Sequence, residues 1–239
     1  MKHTTFGISA LAAALALGAA TVFAADTGEI KGMAKFDGAA PKAKKIKVDA
    51  DPKCAEMHAD HPLMSQEAVV GDGGALAYVF VYVKSGVEKV YDPPADAVVI
   101  DQKGCHYEPH VFGMIAKQKL IIRNSDPTLH NIHALPTTNK EFNIGQPNQG
   151  METAKTFTQP EVMVKFKCDV HPWMSAYVGV VTNPFFAVSD EKGNFSIKGL
   201  PAGDYEIEAW HEKFGKQTAK VKVGAGESKE ANFTFKAAE

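Results

Sequence analysis

The stretch KFKCDVHPWM, Lys165 to Met174, sets Cys168, His171 and Met174 at even three-residue intervals. Each side chain offers a soft or borderline donor atom to a metal. The approach to this stretch decides the fold. Val162, Val164, Phe166 and Cys168 alternate with Met163, Lys165, Lys167 and Asp169. A period of two is that of a strand with one buried face. The thiol therefore points with the apolar side chains into a core, and Pro172 stops the strand. A cysteine ends a strand, and a short loop brings a histidine and a methionine back over it.

Outward from that loop, almost every periodic segment reads as strand. GEIKGMAKFDG, ALAYVFVYVKSG, KQKLIIRN, EVMVKFKC and SAYVGVVTN are followed by GNFSIKG, GDYEIEAWHE, QTAKVKVG and KEANFTF. Turn-forming runs (DPP, NSDP, NPFF, DEKGN, LPAGD) punctuate them. One short helix is expected near DPKCAEMHADHP, closed by Pro62. The fold class is all-β, a sandwich or barrel architecture.

The 239 residues carry a formal net charge of −2, with lysines and acids interspersed. No basic run with interleaved aromatics marks a nucleic-acid surface, so no nucleic-acid partner is expected. The opening MKHTTFGISALAAALALGAATVFAAD reads as a secretory signal peptide over residues 1–24, cleaved after Ala24, with no lipobox cysteine after it. No later segment is apolar enough to span a membrane, so no span is expected in the mature chain. The expected localisation is periplasmic or otherwise exported, where disulfides form.

Cys168, His171 and Met174 need a fourth ligand. Upstream, IIRNSDPTLHNIHALP offers His130 after a strand and turn, and His133 three residues on. Two imidazoles, one thiolate and a long axial thioether describe a trigonal copper site of the blue, electron-transferring type. A c-type haem needs Cys-x-x-Cys-His, which is missing. Cys54 and Cys105 both lie beside turns and read as a disulfide. A rival reading makes CAEMHADHPLM a second metal site through Cys54, Met57, His58, His61 and Met64. His110, in CHYEPH, reads as a structural histidine or, pointing inward, as an outer partner of the site.

At these residues the chain resembles the cupredoxins of the amicyanin and plastocyanin type. CDVHPWM resembles their ligand loop, and RNSDPTLHNIHA their segment ending in His-Asn. The resemblance covers about residues 98–182 and implies a Greek-key β-sandwich holding one type 1 copper ion. It makes His130, rather than His133, the first ligand beside Cys168, His171 and axial Met174. It implies that Asn131 hydrogen-bonds across to the cysteine loop. It further implies that His171 reaches the surface in an apolar patch, where Pro172 and an exposed Trp173 would dock a transient redox protein. Leu129 and Asp169 depart from the usual proline before the histidine and the small residue after the cysteine. The run FFAVSDEKGNFSIKGLPAGDYEIEAWHEKFG resembles the second half of a transthyretin-like, carboxypeptidase-regulatory-like sandwich. Residues 184–236 would be that half and 28–92 the first half, with the copper domain inserted between them. The expected function is an exported electron carrier and not an enzyme, its partner a c-type cytochrome or a periplasmic dehydrogenase. The alternative is a copper-binding, storage or delivery protein.

Overall fold

The computed structural model describes residues 27–237; the expected signal peptide lies outside them. The molecule is all-β, with strands in four sheets that pair into two sandwiches.

The chain's two ends build the first sandwich together. Strand Thr27–Phe36 lies between Asn194–Pro201, antiparallel, and the parallel strands Ser228–Glu230 and Phe233–Phe235. The facing sheet runs in the order Phe186–Val188, Phe80–Ser85, Gly203–His211, Gly215–Val223. Ile30, Ala34, Leu76, Val81, Val83, Ile197, Ile207 and Phe235 fill the space between. These are the inward positions of the alternating runs, as period two requires.

Residues 98–181 supply the second sandwich. One sheet runs Val111–Ile115, Ser175–Val181, Glu161–Lys167, His130–Leu135, Phe142–Gln146; the other runs His106–Glu108, Val98–Lys103, Lys119–Asn124, Glu152–Thr156. Ile100, Leu120, Ile122, Ile132, Phe157, Val164 and Phe166 form its core. The stretch from Pro136 to Pro160, in which no strand was expected, contains two of these strands. Their less exposed positions are Phe142, Ile144 and Gln146 in the first and Thr153 and Lys155 in the second, so the hydrophobic alternation that marks a strand is faint there.

Residues 45–65, within the expected first half-domain, leave the first sandwich and pack on the second. The excursion is pinned at its base by Ile46 N donating to Leu63 O (2.8 Å). Its tip is the helix α1, Pro52–Met57, one turn and a half long and ending before Pro62. Asp51 caps it, accepting from Lys53 N and Cys54 N, with Pro52 at the first helical position. Cys54 of α1 is bonded to Cys105 of the second sandwich across a sequence separation of 51. Among the described residues no helix is long and apolar enough to cross a membrane.

Candidate metal centre

Cys168 follows directly on strand Glu161–Lys167, and Met174 directly precedes strand Ser175–Val181. The loop between them is closed by Cys168 N to Met174 O (3.3 Å) and Met174 N to His171 O (2.9 Å). This turn folds His171 back over Cys168. His130 opens the neighbouring strand of the same sheet, in which Lys167 pairs with His133. Along that strand, His130 and Ile132 face inward and His133 faces out. Tyr107 fixes its start, donating from its hydroxyl to Asn131 O (2.6 Å).

Three donors converge. His130 Nδ1 and His171 Nδ1 are 2.9 Å apart, and Cys168 Sγ is 3.7 Å from His171 Nδ1. All three residues are buried, with no more than 1% of their surface exposed. Met174 is buried in the same core cluster as Cys168.

The other ring nitrogens show what these donors require. His130 Nε2 faces Asp126 Oδ2 at 2.8 Å, and His171 Nε2 faces Asp51 Oδ2 at 3.1 Å. Burial raises the Asp126 and Asp51 carboxyls, but the groups that donate to them outweigh it and hold both below the ordinary value, Asp51 at about 2. Both are therefore acceptors, and each histidine donates from Nε2. A neutral imidazole that donates from Nε2 keeps a lone pair on Nδ1. With both rings neutral, two lone pairs would face each other at 2.9 Å beside a thiol, an arrangement that repels unless a cation or proton lies between them. The donor set therefore fits a metal ion.

Cys168 is tuned in the same sense. Burial pushes its thiol up, but hydrogen bonds with His130 and His171 and from the Asn131 and His171 amides more than offset this, leaving it at about 6. The amide contacts are 3.5 Å from Asn131 N and 3.3 Å from His171 N. The thiolate, which is the metal-binding form, is thus favoured at neutral pH. His130 is moved upward: burial lowers it, while Asp126 and Cys168 raise it by more.

Asn131 reaches the cysteine loop through its side chain, accepting from Asp169 N (2.6 Å) and donating to Asn143 Oδ1. His133 lies outside the cluster, between Asp169 Oδ2 (3.0 Å) and Glu141 Oε1 (2.6 Å). His110 touches none of the ligands; it pairs with Glu212 and with Ser175 O (3.0 Å).

Two expectations about the surface are corrected. His171 does not reach solvent, because α1 and its flanks cover it. Asp51 binds its Nε2, Cys54 Sγ lies 3.8 Å from that nitrogen, and the Trp173 ring packs at 5.0 Å. Trp173 is half-buried rather than exposed. Its Nε1 donates to Cys105 O (3.0 Å), and its ring packs against the small cluster of Val48, Cys54 and Cys105. Pro172 is exposed, as are Leu129 and Val170, which precede His130 and His171.

The second metal site does not assemble. Cys54 is in the disulfide, and His58 turns its two nitrogens to Gly104 O (2.8 Å) and His61 O (3.0 Å). Met57 and Met64 are exposed. Among the described residues, every cluster of three or more His, Cys, Asp or Glu donors contains His130 or His171. Those clusters include Asp51 and Asp126, which sequence reasoning missed. Asp51 stood only as the first residue of the segment expected to be helical and Asp126 as a turn residue four before His130; nothing in their spacing announced a histidine partner.

Comparison with known proteins bears on both halves of the molecule. The family model for the carboxypeptidase regulatory-like domain matches residues 172–236. No curated protein sequence matches the chain. Among solved structures, a purple cupredoxin from Nitrosopumilus maritimus aligns at 22% identity and a TM-score of 0.31, over 35% of this chain and 98% of that one. A mutant amicyanin with Cu(I) aligns at 21% identity and a TM-score of 0.32, over 42% of this chain and 97% of that one. A copper-containing nitrite reductase from Thermus scotoductus aligns at 18% identity and a TM-score of 0.34, over 43% of this chain but 25% of that one.

Proposed function

We propose that this chain is an exported type 1 copper protein that carries single electrons. The observation that carries the reading is the buried convergence of His130 Nδ1 and His171 Nδ1, 2.9 Å apart, with Cys168 Sγ 3.7 Å from the latter. His130, His171 and Cys168 would be the strong ligands and Met174 a weak thioether ligand. Copper bound there supplies a one-electron couple, with thiolate and thioether suited to Cu(I) and imidazole to both states. The protein's part is rigidity. Cys168 and His130 sit on adjacent strands of one sheet, and His171 is locked by contacts on every side, so the ligands need not move as the charge changes. A zinc site would be expected to carry a second thiolate or an open water position. The exposed Leu129, Val170 and Pro172 offer a transient redox protein an apolar contact beside the centre. A c-type cytochrome or a periplasmic dehydrogenase is the class of partner.

The test is the visible spectrum of the copper-loaded, oxidised protein. An intense thiolate-to-copper band is expected, lost in Cys168→Ala and His130→Ala and kept in His133→Ala. A colourless protein that takes up zinc alone would end the copper reading. Fast electron exchange with a reduced cytochrome then separates carriage from storage; slow exchange with ready transfer of the metal to a chelator would favour storage.

A further inference from the structure

The site holds two carboxylates that the ligand motif does not announce, and they are arranged alike. Asp126 accepts from Gly104 N (2.7 Å) and Cys105 N (2.8 Å) and receives His130 Nε2. Asp51 accepts from Lys53 N (2.7 Å) and Cys54 N (3.2 Å), from Thr128 Oγ1 (2.8 Å), and from His171 Nε2. Each carboxylate is thus held by the amide of one half-cystine and holds one histidine. The Cys54–Cys105 bond joins the two halves into a closed frame. Trp173, on the ligand loop itself, is tied to the same frame through Cys105 O.

The consequence differs for the two histidines. His130 lies within the sandwich and would be enclosed in any case. His171 lies on a loop at the sandwich end, where the excursion of residues 45–65 covers it beside the Trp173 ring. An anion on the far nitrogen of an imidazole fixes the ring's orientation and makes its near nitrogen a stronger donor. In a buried site, its charge also favours whichever metal state carries more positive charge.

Building on the copper reading above, we propose that Asp51 is a positioning residue of the metal centre. It closes the outer edge of His171, and with Asp126 it places a second carboxylate behind the ligand set that biases the centre toward its oxidised state.

Two substitutions separate the charge from the closure. Asp51→Asn removes the charge and keeps the side chain's bulk over His171, its one oxygen left to accept either from the helix amides or from His171. It should keep the thiolate-to-copper band. At a fixed ambient potential it should raise the Cu(I) to Cu(II) ratio about three- to tenfold, tenfold being about 59 mV for a one-electron couple. Asp49→Asn, at an exposed carboxylate two residues away, should leave the ratio unchanged. Asp51→Ala removes the hydrogen bond as well. In the metal-free protein, His171 should resist diethyl pyrocarbonate in the parent and in Asp51→Asn but react in Asp51→Ala, read by peptide mass spectrometry. An unchanged ratio in Asp51→Asn, or one matched by Asp49→Asn, would overturn the bias. An unreactive His171 in Asp51→Ala would overturn the closure. A parent protein with no blue band would sink the copper reading instead, and the modification experiment would still decide whether Asp51 encloses His171.

Discussion

Single residues in this protein often hold two pieces of chain together by one anion, and Glu161 shows it away from the metal centre. Its carboxylate accepts from Thr137 N and Oγ1, Thr138 N, and Asn139 N and Nδ2, gathering the turn after strand His130–Leu135. Partial burial raises this carboxyl, but the donors of Thr137 and Asn139 outweigh it and bring it from the ordinary 4.5 to about 2. A carboxylate depressed in the folded state adds stability that is fully present above its unfolded value and is lost as pH falls through the folded one. The contribution of Glu161 should therefore be whole above about pH 4.5 and disappear toward pH 2. Glu161→Gln should cost about 1–3 kcal/mol at pH 7, the usual range for a charged hydrogen-bond acceptor. The difference between parent and variant in denaturant melts should shrink as the pH drops from 5 to 2; a difference independent of pH would show that the charge is irrelevant. Neither this clamp nor the Asp51–His171 contact was legible in the sequence. Alternation reveals which way a side chain points, so the inward direction of Cys168 and the strand leading to it could be read directly. It carries nothing about a partner 120 residues away.

At the scale of elements, α1 is too short to be stable by itself. Helix formation in water needs roughly 12–15 residues, and Pro52–Met57 has 6. What holds it is the Asp51 cap at one end and the Cys54–Cys105 bond in its middle. The signals for the helix were in DPKCAEM, an N-cap followed by proline, and the pairing of the two cysteines was read from there being two beside turns in a chain expected to be exported. The element's place over His171 was not legible, because the motif around Cys168 implies an exposed histidine and no rule of spacing predicts a cover. The strands Phe142–Gln146 and Glu152–Thr156 were hidden for a different reason: their backbone pairs well, but the first has only Phe142 and Ile144 as apolar inward residues and the second has Thr153 and Lys155. The disulfide can be tested as an element. It closes a loop with a sequence separation of 51, for which loop-closure entropy gives about 4 kcal/mol. Cys54→Ala/Cys105→Ala should lose about 2–5 kcal/mol in denaturant melts of the metal-free protein. Thiol titration of the unfolded parent should find one reactive group, Cys168, before reduction and three after. Three before reduction would refute the bridge.

The whole molecule is two sandwiches, and one of the contacts that join them is of aromatic rings on glycine. Phe80 and Phe186, on neighbouring strands of the first sandwich, pack with Val111 and Val181 of the second. The second sandwich meets them with Gly113 and Gly179, on the parallel pair Val111–Ile115 and Ser175–Val181. A Cβ on Gly179 would stand 2.3 Å from the Phe80 ring, and one on Gly113 would stand 2.4 Å from Phe186. Glycine inside a strand weakens it and is kept where another group must come close. In SAYVGVVTN that glycine was visible in the sequence, but not which group approached it, since Phe80 is 99 positions earlier. Tyr177 and Trp210 add a second ring contact across the same boundary, centroids 5.0 Å apart. Gly179→Ala should therefore act as a wedge between the sandwiches and cost about 1–3 kcal/mol, the usual range for overpacking. Gly145→Ala is the control, because a Cβ there meets nothing within 4 Å. Phe80→Ala should cost about 3–5 kcal/mol through the cavity it leaves. In the double variant Gly179→Ala/Phe80→Ala the new methyl occupies space the ring has vacated. The two costs should then fall short of their sum by about 0.5–3 kcal/mol, the range seen for residues in contact. Strict additivity in denaturant melts, or a Gly179→Ala no worse than Gly145→Ala, would mean that the ring does not seat against this strand and that the sandwiches are held together some other way.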